Sequence, residues 1–273
     1  MTLTKELAAV SVVIPCYKCA RTIERAIASV VAQTWRPAEV ILVDDASGDD
    51  TRALLQKLKA QFCPGWIKLV FLDSNVGAGS ARNAGWAVAS QPYVAFLDAD
   101  NAWHSRKIEI QYGFMAAHPD VALCGHKYKV LQQDVLLCWP VEERNAEPVS
   151  KFIMLLSNRF STSSVMIRRD SEDRFLTGQR YIEDYMLWLK IICSGKKVMI
   201  FPQELVAFYK GLYGVAGLSA RLWLMERSEL GNYRRLYVSG FINGLQLVVL
   251  VAFSLLKYVR RLVIYAGYLR WKK

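Results

Sequence analysis

Short apolar runs and longer stretches with helical periodicity alternate through the first 118 residues of the chain. Runs rich in β-branched residues predict strands, and apolar residues spaced three and four apart predict helices. The predicted strands are residues 10–15, 39–45, 67–73 and 92–98, and the predicted helices are residues 21–33, 49–62, 77–90 and 104–118. This alternation favours βαβ units, and the nearly all-apolar strands favour a mostly parallel sheet with helices on both faces.

The pattern becomes less regular after residue 119. Apolar runs predict strands at 121–130, 135–141, 163–169 and 196–202, of which the first two would form a hairpin, and helical spacing predicts helices at 151–158 and 181–194. No internal repeat or low-complexity linker interrupts this region. Residues 1–215 are therefore predicted to form one α/β domain with an irregular second half.

Residues 216–273 have a different pattern and are predicted to form a basic, hydrophobic helical tail. Residues 221–236 have the pattern of an amphipathic helix, and the apolar stretch 241–256 is interrupted by Asn243 and Gln246. This stretch is shorter than the roughly 20 apolar residues of a membrane-spanning helix, and basic residues follow it. The pattern favours a helix lying on an anionic membrane surface, and the alternative is a helix packed on the domain or in an oligomer interface.

Charge is distributed unevenly along the chain. The formal net charge is +11, and residues 221–273 contain ten basic and two acidic residues, so this segment carries +8 of the total. A basic surface favours an anionic partner such as a nucleotide, a nucleic acid or a membrane surface. The first residues contain no apolar stretch long enough for a signal peptide, so the six cysteines are interpreted as reduced thiols of a cytosolic protein.

Two of the predicted strands end in a pair of carboxylates, and the ends of parallel strands meet at the ligand-binding edge of such a sheet. Asp98 and Asp100 flank one small residue, so both side chains can face one point and suit a hard cation, Mg²⁺ or Mn²⁺. Asp44 and Asp45 end another strand, where a carboxylate could accept hydrogen bonds from a nucleobase or a ribose. In both places the alternative is ordinary turn or helix-cap chemistry.

A glycine-rich segment before the helix at 77–90 has the composition of an anion site. Gly77 and Gly79 allow the backbone to approach a ligand, and Arg82 lies one turn into the helix that follows. The alternative is that the small residues of this helix, Gly85 among them, only permit tight packing against the sheet.

Two further motifs admit a functional and a structural interpretation. Glu183 and Asp184 open a predicted helix, where acids are favoured by the helix dipole, but one of them could also act as a general base. Cys16 and Cys19 form a C-x-x-C motif between a strand and a helix, which is the context of a redox module. Because the chain is far longer than a thioredoxin-like domain, we interpret this spacing as coincidental.

In order along the chain, the motifs SVVIPCYKC, ILVDDASGDDT, NVGAGSARNAG, VAFLDADN and IEDYMLWLK resemble those of the family 2 glycosyltransferases of GT-A fold. The resemblance covers about residues 10–210. It implies a Rossmann-like sheet with flanking helices and transfer of a sugar, with inversion, from a nucleotide-sugar donor that is usually linked to UDP. It also implies a nucleotide-binding half at 1–118 and an acceptor-binding, catalytic half at 119–215.

The resemblance implies a role for each matching residue. The nucleobase would be held by Pro15, Tyr17 and either Asp44 or Asp45, the nucleotide by Asn75 and Arg82, the ribose or metal by Asp98, and the metal by Asp100, with Asp184 as the base that deprotonates the acceptor. The chain departs from the family pattern at Asn101, where many relatives carry a third acid, and at Lys18, where asparagine is common. A loop at residues 208–219, including Tyr209, Lys210, Gly211, Gly214 and Gly217, would close over the site.

Bacterial relatives that extend lipopolysaccharide or exopolysaccharide use lipid-linked acceptors, which implies a peripheral protein on the inner face of the cytoplasmic membrane. The expected partners are a UDP-sugar, a glycan or lipid-linked glycan acceptor and an anionic membrane surface. The basic residues of the tail flank an apolar run instead of alternating with aromatic residues, which favours a membrane over nucleic acid. The alternatives are a non-catalytic protein that binds a nucleotide or nucleic acid, and a redox module at Cys16 and Cys19.

Overall fold

The chain folds around one mixed sheet that is covered by helices on both faces. A computed structural model describes residues 6–131, 139–209 and 221–271. The strands are β1 (Glu6–Cys16), β2 (Trp35–Asp44), β3 (Ile67–Phe71), β4 (Tyr93–Phe96), β5 (Ala102–Trp103), β6 (Val121–Val130), β7 (Glu147–Pro148), β8 (Met166–Arg168) and β9 (Lys197–Phe208). The helices are α1 (Ile23–Val31), α2 (Thr51–Ala60), α3 (Ala78–Ala87), α4 (Lys107–Ala117), α5 (Lys151–Leu156), α6 (Glu183–Cys193), α7 (Leu222–Val238) and α8 (Gly244–Trp271), with a 3₁₀-helix at Thr162–Ser164.

The first half of the sheet is parallel, as the apolar strands predict. The strand order is β3-β2-β1-β4-β8-β6-β9-β5, and the four strands from β3 to β4 run parallel to one another. The carboxyl ends of these strands therefore lie along one edge, where the loops that carry the predicted site residues follow them. Strands β1, β2 and β4 bury apolar side chains on both faces of the sheet, which explains their nearly continuous apolar sequence.

The second half of the sheet is mixed, so the prediction of a mostly parallel sheet holds only for its first half. Strand β8 inserts between β4 and β6 and runs antiparallel to both, while β6 and β9 are parallel to each other. The predicted hairpin partner of β6 falls largely on residues 132–138, which lie outside the described residues, and the described neighbours of β6 are β8 and β9. Strand β9 continues past Pro202, because a register shift leaves this residue, which has no N–H, out of the pairing with β6.

The two polar residues that interrupt the apolar stretch of the tail mark the beginning of α8. The Asn243 side chain accepts a hydrogen bond from the Gln246 backbone N–H, and the Gln246 side chain accepts one from the Asn243 N–H, both at 2.9 Å. This reciprocal pair is a capping box. The helix that it opens has 28 residues instead of the 16 predicted for 241–256, because it continues through the basic segment to Trp271.

Helices α7 and α8 pack against each other through polar side chains. Ser254 donates a hydrogen bond to buried Glu226 at 2.8 Å, and Lys257 forms an ion pair with buried Glu229 at 2.8 Å. The opposite side of α8 is apolar and exposed, and we call this set of residues the outer face: Leu245, Val248, Val249, Leu256, Val259 and Val263. None of the described helices is long and apolar enough to cross a membrane.

The packing of α3 on the sheet depends on Gly85. A Cβ atom at this position would lie 2.5 Å from Cγ1 of Val13 and 3.0 Å from Cγ2 of Val43. The structural interpretation of the small residues in this helix is therefore right for Gly85, because any side chain there would push α3 away from β1 and β2.

We expect Gly85→Ala to lower the free energy of unfolding by about 1–3 kcal/mol, because the added methyl group overpacks the interface between helix and sheet. The matched control is Gly113→Ala in α4, where a Cβ atom meets nothing within 4 Å. This control should raise stability by up to about 1 kcal/mol through helix propensity. Urea unfolding of both variants measures the difference, and equal effects at the two sites would contradict the packing argument.

Candidate functional site

Arg82 connects the two halves of the chain at the carboxyl edge of the sheet. Its Nη2 atom lies 2.7 Å from Asp98, just after β4, and its Nη1 atom lies 2.9 Å from Glu183, the first residue of α6. The guanidinium is buried, and burial lowers the pKa of Arg82, but the charges of Asp98 and Glu183 outweigh that effect and raise it above its ordinary value. Arg82 is therefore a permanent cation that holds two carboxylates in place.

Gly79 makes the contact between Arg82 and Glu183 possible. A Cβ atom on Gly79 would lie 2.8 Å from Cγ of Glu183, so any other residue would displace the glutamate. Gly77, which precedes α3, has a φ of 88°, a conformation that glycine adopts without strain. The glycine-rich segment thus lets α3 begin close to α6 and brings Arg82 to the site.

The turn that contains Asp98 and Asp100 rests on Ser163 of the 3₁₀-helix. The Ser163 hydroxyl accepts hydrogen bonds from the Asp98 backbone N–H at 3.0 Å and from the Asn101 side-chain amide at 2.9 Å. The Ser163 carbonyl accepts a third from the indole N–H of Trp103 at 2.7 Å. Asn101, where many relatives carry an acid, is buried and serves as a donor that fixes the turn. The sequence pattern does not indicate these contacts of Ser163, because it predicts residue 163 to lie in a strand.

The oxygen atoms of this turn fit a hard divalent cation that takes most of its ligands from elsewhere. The Asp98 side chain is 32% exposed, and one of its oxygens accepts the Arg82 hydrogen bond. The Asp100 side chain is also partly exposed. Across residues 6–131, 139–209 and 221–271, no group of three or more His, Cys, Asp or Glu residues could hold a metal ion. Two carboxylates suit Mg²⁺ or Mn²⁺ when substrate phosphates and water supply the other ligands.

Asp44 and Asp45 are both buried at the end of β2 but make different contacts. Asp45 accepts hydrogen bonds from the Asn75 side chain and from the backbone N–H groups of Val76 and Gly77, at 2.8–3.0 Å. Asp44 accepts hydrogen bonds from the backbone and the hydroxyl of Ser47, which is turn chemistry. Both oxygens of Asp45 are therefore occupied in shaping the segment 75–77.

The other residues predicted to bind the nucleotide lie at the same edge. Pro15 is near the end of β1, opposite Val43 of β2, and Tyr17 follows with 49% of its surface exposed. The Asn75 side chain accepts a hydrogen bond from Arg180 at 3.0 Å in addition to its contact with Asp45. The fold therefore brings together Pro15, Tyr17, Asp44, Asp45 and Asn75, although they span 60 residues of sequence.

Asp184 lies at the beginning of α6, partly exposed and oriented by two donors. The Thr162 hydroxyl donates to one carboxylate oxygen at 3.1 Å, and the Tyr185 backbone N–H donates to the other at 2.7 Å. Burial and the neighbouring charge of Glu183 raise the pKa of Asp184 to about 6, although Arg82 opposes this shift. A carboxylate with this pKa is ionised at neutral pH and is a stronger base than an ordinary aspartate.

Three residues other than glycine have positive φ angles in the described chain, and all three border this edge. They are Lys18 after β1, Ala46 after β2 and Ile182 before α6, with φ between 49° and 54°. This conformation is unusual for a β-branched residue such as Ile182 and costs of order 1–3 kcal/mol. Such strain persists only where the surrounding contacts require it, and at Ile182 it sets the direction in which Glu183 and Asp184 enter the site.

Two motifs from the sequence have less support at the site. Cys16 and Cys19 are both free and buried, and the hydrogen bond between them raises the pKa of the Cys16 thiol and lowers that of the Cys19 thiol. Tyr209 follows β9, and its ring stacks on the Arg25 guanidinium. The remaining residues of the predicted loop, Lys210, Gly211, Gly214 and Gly217, lie outside the described residues.

The parallel half-sheet, with an acidic turn at its carboxyl edge and the carboxylates that open α6 beside it, has the arrangement of a glycosyltransferase of GT-A fold. The sequence model of glycosyl transferase family 2 matches residues 11–175, so the chain belongs to this family. The resemblance inferred from the sequence motifs is confirmed.

Individual relatives extend the likeness beyond the matched segment. The chain is 29% identical over 190 residues to WfaP of Escherichia coli, a UDP-Glc:alpha-D-GlcNAc-diphosphoundecaprenol beta-1,3-glucosyltransferase, covering 69% of this chain and 72% of WfaP. It is 28% identical over 230 residues to AmsE of Erwinia amylovora, an amylovoran biosynthesis glycosyltransferase, covering 81% of this chain and 84% of AmsE. The crystal structure of S. aureus TarS 1–349 in complex with UDP-GlcNAc shares the fold, with a TM-score of 0.70 and 17% identity over 90% of this chain and 71% of that one.

We expect Arg82→Met to lower the free energy of unfolding by about 3–5 kcal/mol, because it leaves the buried Glu183 carboxylate without its cation. The matched control is Arg180→Met, which removes an exposed guanidinium from the same edge and should change stability by less than about 0.5 kcal/mol. Urea unfolding of both variants at pH 7 is the measurement. A loss below about 1 kcal/mol for Arg82→Met would show that the ion pairs do not hold the two halves together.

Proposed function

We propose that this protein is an inverting glycosyltransferase that moves a sugar from a UDP-sugar donor to a hydroxyl group of a lipid-linked glycan during synthesis of a cell-surface polysaccharide. The observation that carries the proposal is the contact network of Arg82, which places the acidic turn and the carboxylate-bearing end of α6 around one point. The polysaccharide-related names of WfaP and AmsE support the substrate class.

The donor occupies the carboxyl ends of β1, β2 and β4 in this proposal. Pro15 and Tyr17 flank the nucleobase, and Asn75 and Arg82 contact the nucleotide. Asp44 is the better candidate for the base contact, because the oxygens of Asp45 already accept three hydrogen bonds from Asn75, Val76 and Gly77. Asp45 then acts by shaping the pocket.

Asp98 and Asp100 hold Mn²⁺ or Mg²⁺ in the proposed complex, and Asp98 also faces the ribose. Ser163 and Asn101 fix the backbone of the turn, so the two carboxylates are held before the ligand arrives. When bound, such an ion stabilises the negative charge that develops on the diphosphate as the sugar–phosphate bond breaks.

Asp184 is the general base in this mechanism. It takes the proton from the acceptor hydroxyl while that oxygen attacks the anomeric carbon from the face opposite to UDP, and UDP leaves with the electrons of the broken bond. Thr162 and the Tyr185 N–H hold the carboxylate in one orientation, which limits the reorganisation needed when the acceptor binds.

The outer face of α8 supports a peripheral position on the inner face of the cytoplasmic membrane, where a lipid-linked acceptor is accessible. Ser254 and Lys257 of α8 contact α7 and Leu250 packs in the core, whereas the outer face of α8 leaves apolar side chains exposed. The net charge of +8 in residues 221–273 fits an anionic lipid surface and would repel a second copy of the same segment.

We expect Asp184→Asn to lower the rate of sugar transfer by about 10²–10⁴-fold while leaving UDP affinity within about twofold of the wild type, because only the proton acceptor is lost. Transfer rates with saturating donor and calorimetry with UDP measure the two effects. Near wild-type turnover in this variant would exclude Asp184 as the base.

The same assignment predicts the pH dependence of the wild-type enzyme. Because the base must be ionised and the pKa of Asp184 is raised to about 6, kcat/KM should fall as the pH drops through about 6 and reach a plateau above about 7. The profile for Asp184→Asn should lack this acidic limb, and a limb that survives the substitution would belong to another group.

We expect the protein to bind vesicles that contain phosphatidylglycerol more tightly than vesicles of phosphatidylcholine alone. The double variant Leu256→Gln, Val263→Gln should weaken this binding at least about tenfold, because two side chains that are 67% exposed lose their apolar contact with lipid. Leu7→Gln, at a position that is 68% exposed in β1, is the matched control. Vesicle flotation is the measurement, and a wild-type protein that stays unbound on both vesicle types would overturn the membrane assignment.

A further inference from the structure

Arg25 in α1 is a second arginine that contacts the acidic turn. Its Nη2 atom donates a hydrogen bond of 2.8 Å to the backbone carbonyl of Asp100. The donor is a cation and the acceptor is a main-chain atom, so the contact fixes the backbone of the turn without occupying the Asp100 carboxylate. Arg25 lies 75 residues away from Asp100 in sequence.

The guanidinium of Arg25 is held in place by Tyr209. The Arg25 Cζ atom lies 3.7 Å from the centroid of the Tyr209 ring, a stacked cation–π contact. Tyr209 directly follows β9, and Ala207 of β9 pairs with Ala102 just beyond the acidic turn. Arg25 therefore bridges the turn and the end of β9, two segments that also meet through the sheet.

Gln33, which follows α1, holds the chain on the C-terminal side of the same turn. The Gln33 side chain donates to the His104 carbonyl at 2.8 Å and accepts from the Ile108 N–H at 2.9 Å. With Arg25 at Asp100 and Gln33 at His104, the segment from the acidic turn to the start of α4 is fixed at both ends. Removal of Arg25 releases the Asp100 carbonyl, whereas Ser163 still holds the Asp98 N–H and Gln33 still holds His104.

We propose that Arg25 is a positioning residue that holds the Asp98–Asp100 turn in the conformation that binds the metal–nucleotide complex, with the Tyr209 ring holding its guanidinium in place. This inference rests on the proposed function, because it assumes that the turn binds the metal-loaded donor. The hydrogen bond from Arg25 goes to the main-chain carbonyl of Asp100, so its effect in this proposal is on the geometry of the turn.

The test measures UDP affinity by calorimetry with and without Mn²⁺, independently of turnover. Arg25→Met keeps an unbranched apolar chain in place of the arginine stem but removes the guanidinium, and with it the donor and the charge. It should weaken UDP affinity in the presence of Mn²⁺ by about 10- to 100-fold, the effect of losing a hydrogen bond to a charged group, and leave metal-free affinity within about twofold. Arg25→Lys retains a donor but lacks the planar stacking face, so it should recover part of the loss.

Three further variants distinguish a positioning role of Arg25 from a general effect on the fold. Tyr209→Leu removes the stacked ring and should weaken Mn²⁺-dependent affinity in the same direction as Arg25→Met. Combined with Arg25→Met, it should add little, because both substitutions release the same contact. Arg21→Met removes an exposed cation just before α1 and should leave both affinities unchanged. Thermal unfolding midpoints of all variants check that the fold is retained.

Asp100→Ala distinguishes failure of this inference from failure of the proposed function. If Asp100→Ala abolishes the Mn²⁺ dependence of UDP binding and Arg25→Met does not change it, the metal assignment stands and the role of Arg25 is refuted. If neither substitution changes the Mn²⁺ dependence, the metal role of the turn itself is wrong. Equal losses with and without Mn²⁺ in Arg25→Met would also refute the proposal, since they indicate a general effect on the nucleotide pocket.

Discussion

The buried guanidinium of Arg82 is the interaction on which the arrangement of the site depends. It joins Asp98 at the end of β4 to Glu183 at the beginning of α6, residues that are 85 positions apart in sequence. Burying a cation is costly unless its partners are charged and well placed, so this pair of contacts fixes the distance between the two halves of the chain. Gly79 is required for the same reason, because a side chain there would displace Glu183.

A second set of contacts holds the backbone of the acidic turn. Ser163 supports the backbone of Asp98 and the amide of Asn101, and Arg25 binds the carbonyl of Asp100. These supports come from two distant segments and leave the Asp98 side chain partly exposed. Ile182, two residues before Asp184, has a positive φ angle, and the packing around it maintains this strained conformation.

The helical tail buries polar as well as apolar side chains and leaves an apolar face exposed. Glu226 and Glu229 of α7 are buried and meet Ser254 and Lys257 of α8, while the outer face of α8 is apolar. Ser254 and Lys257 each pair with a buried carboxylate of α7, yet the outer face of α8 exposes apolar side chains to water. The tail thus packs on the α/β domain and exposes the outer face of α8.

The sequence by itself determined the alternation of strands and helices, the position of the carboxylates at strand ends and the family, because these depend on local periodicity and on short motifs. It also indicated the site residues from Pro15 to Asp184, but not their different contacts. Only the tertiary structure decided that the Asp45 carboxylate accepts hydrogen bonds from residues 75–77. It also decided that Asn101 donates to Ser163 and that Arg25 donates to the Asp100 carbonyl. The sequence likewise suggested that Asn243 interrupts an apolar stretch, whereas it caps the helix. These contacts join residues whose proximity follows from the path of the whole chain or from side-chain geometry, which residue type and spacing do not encode.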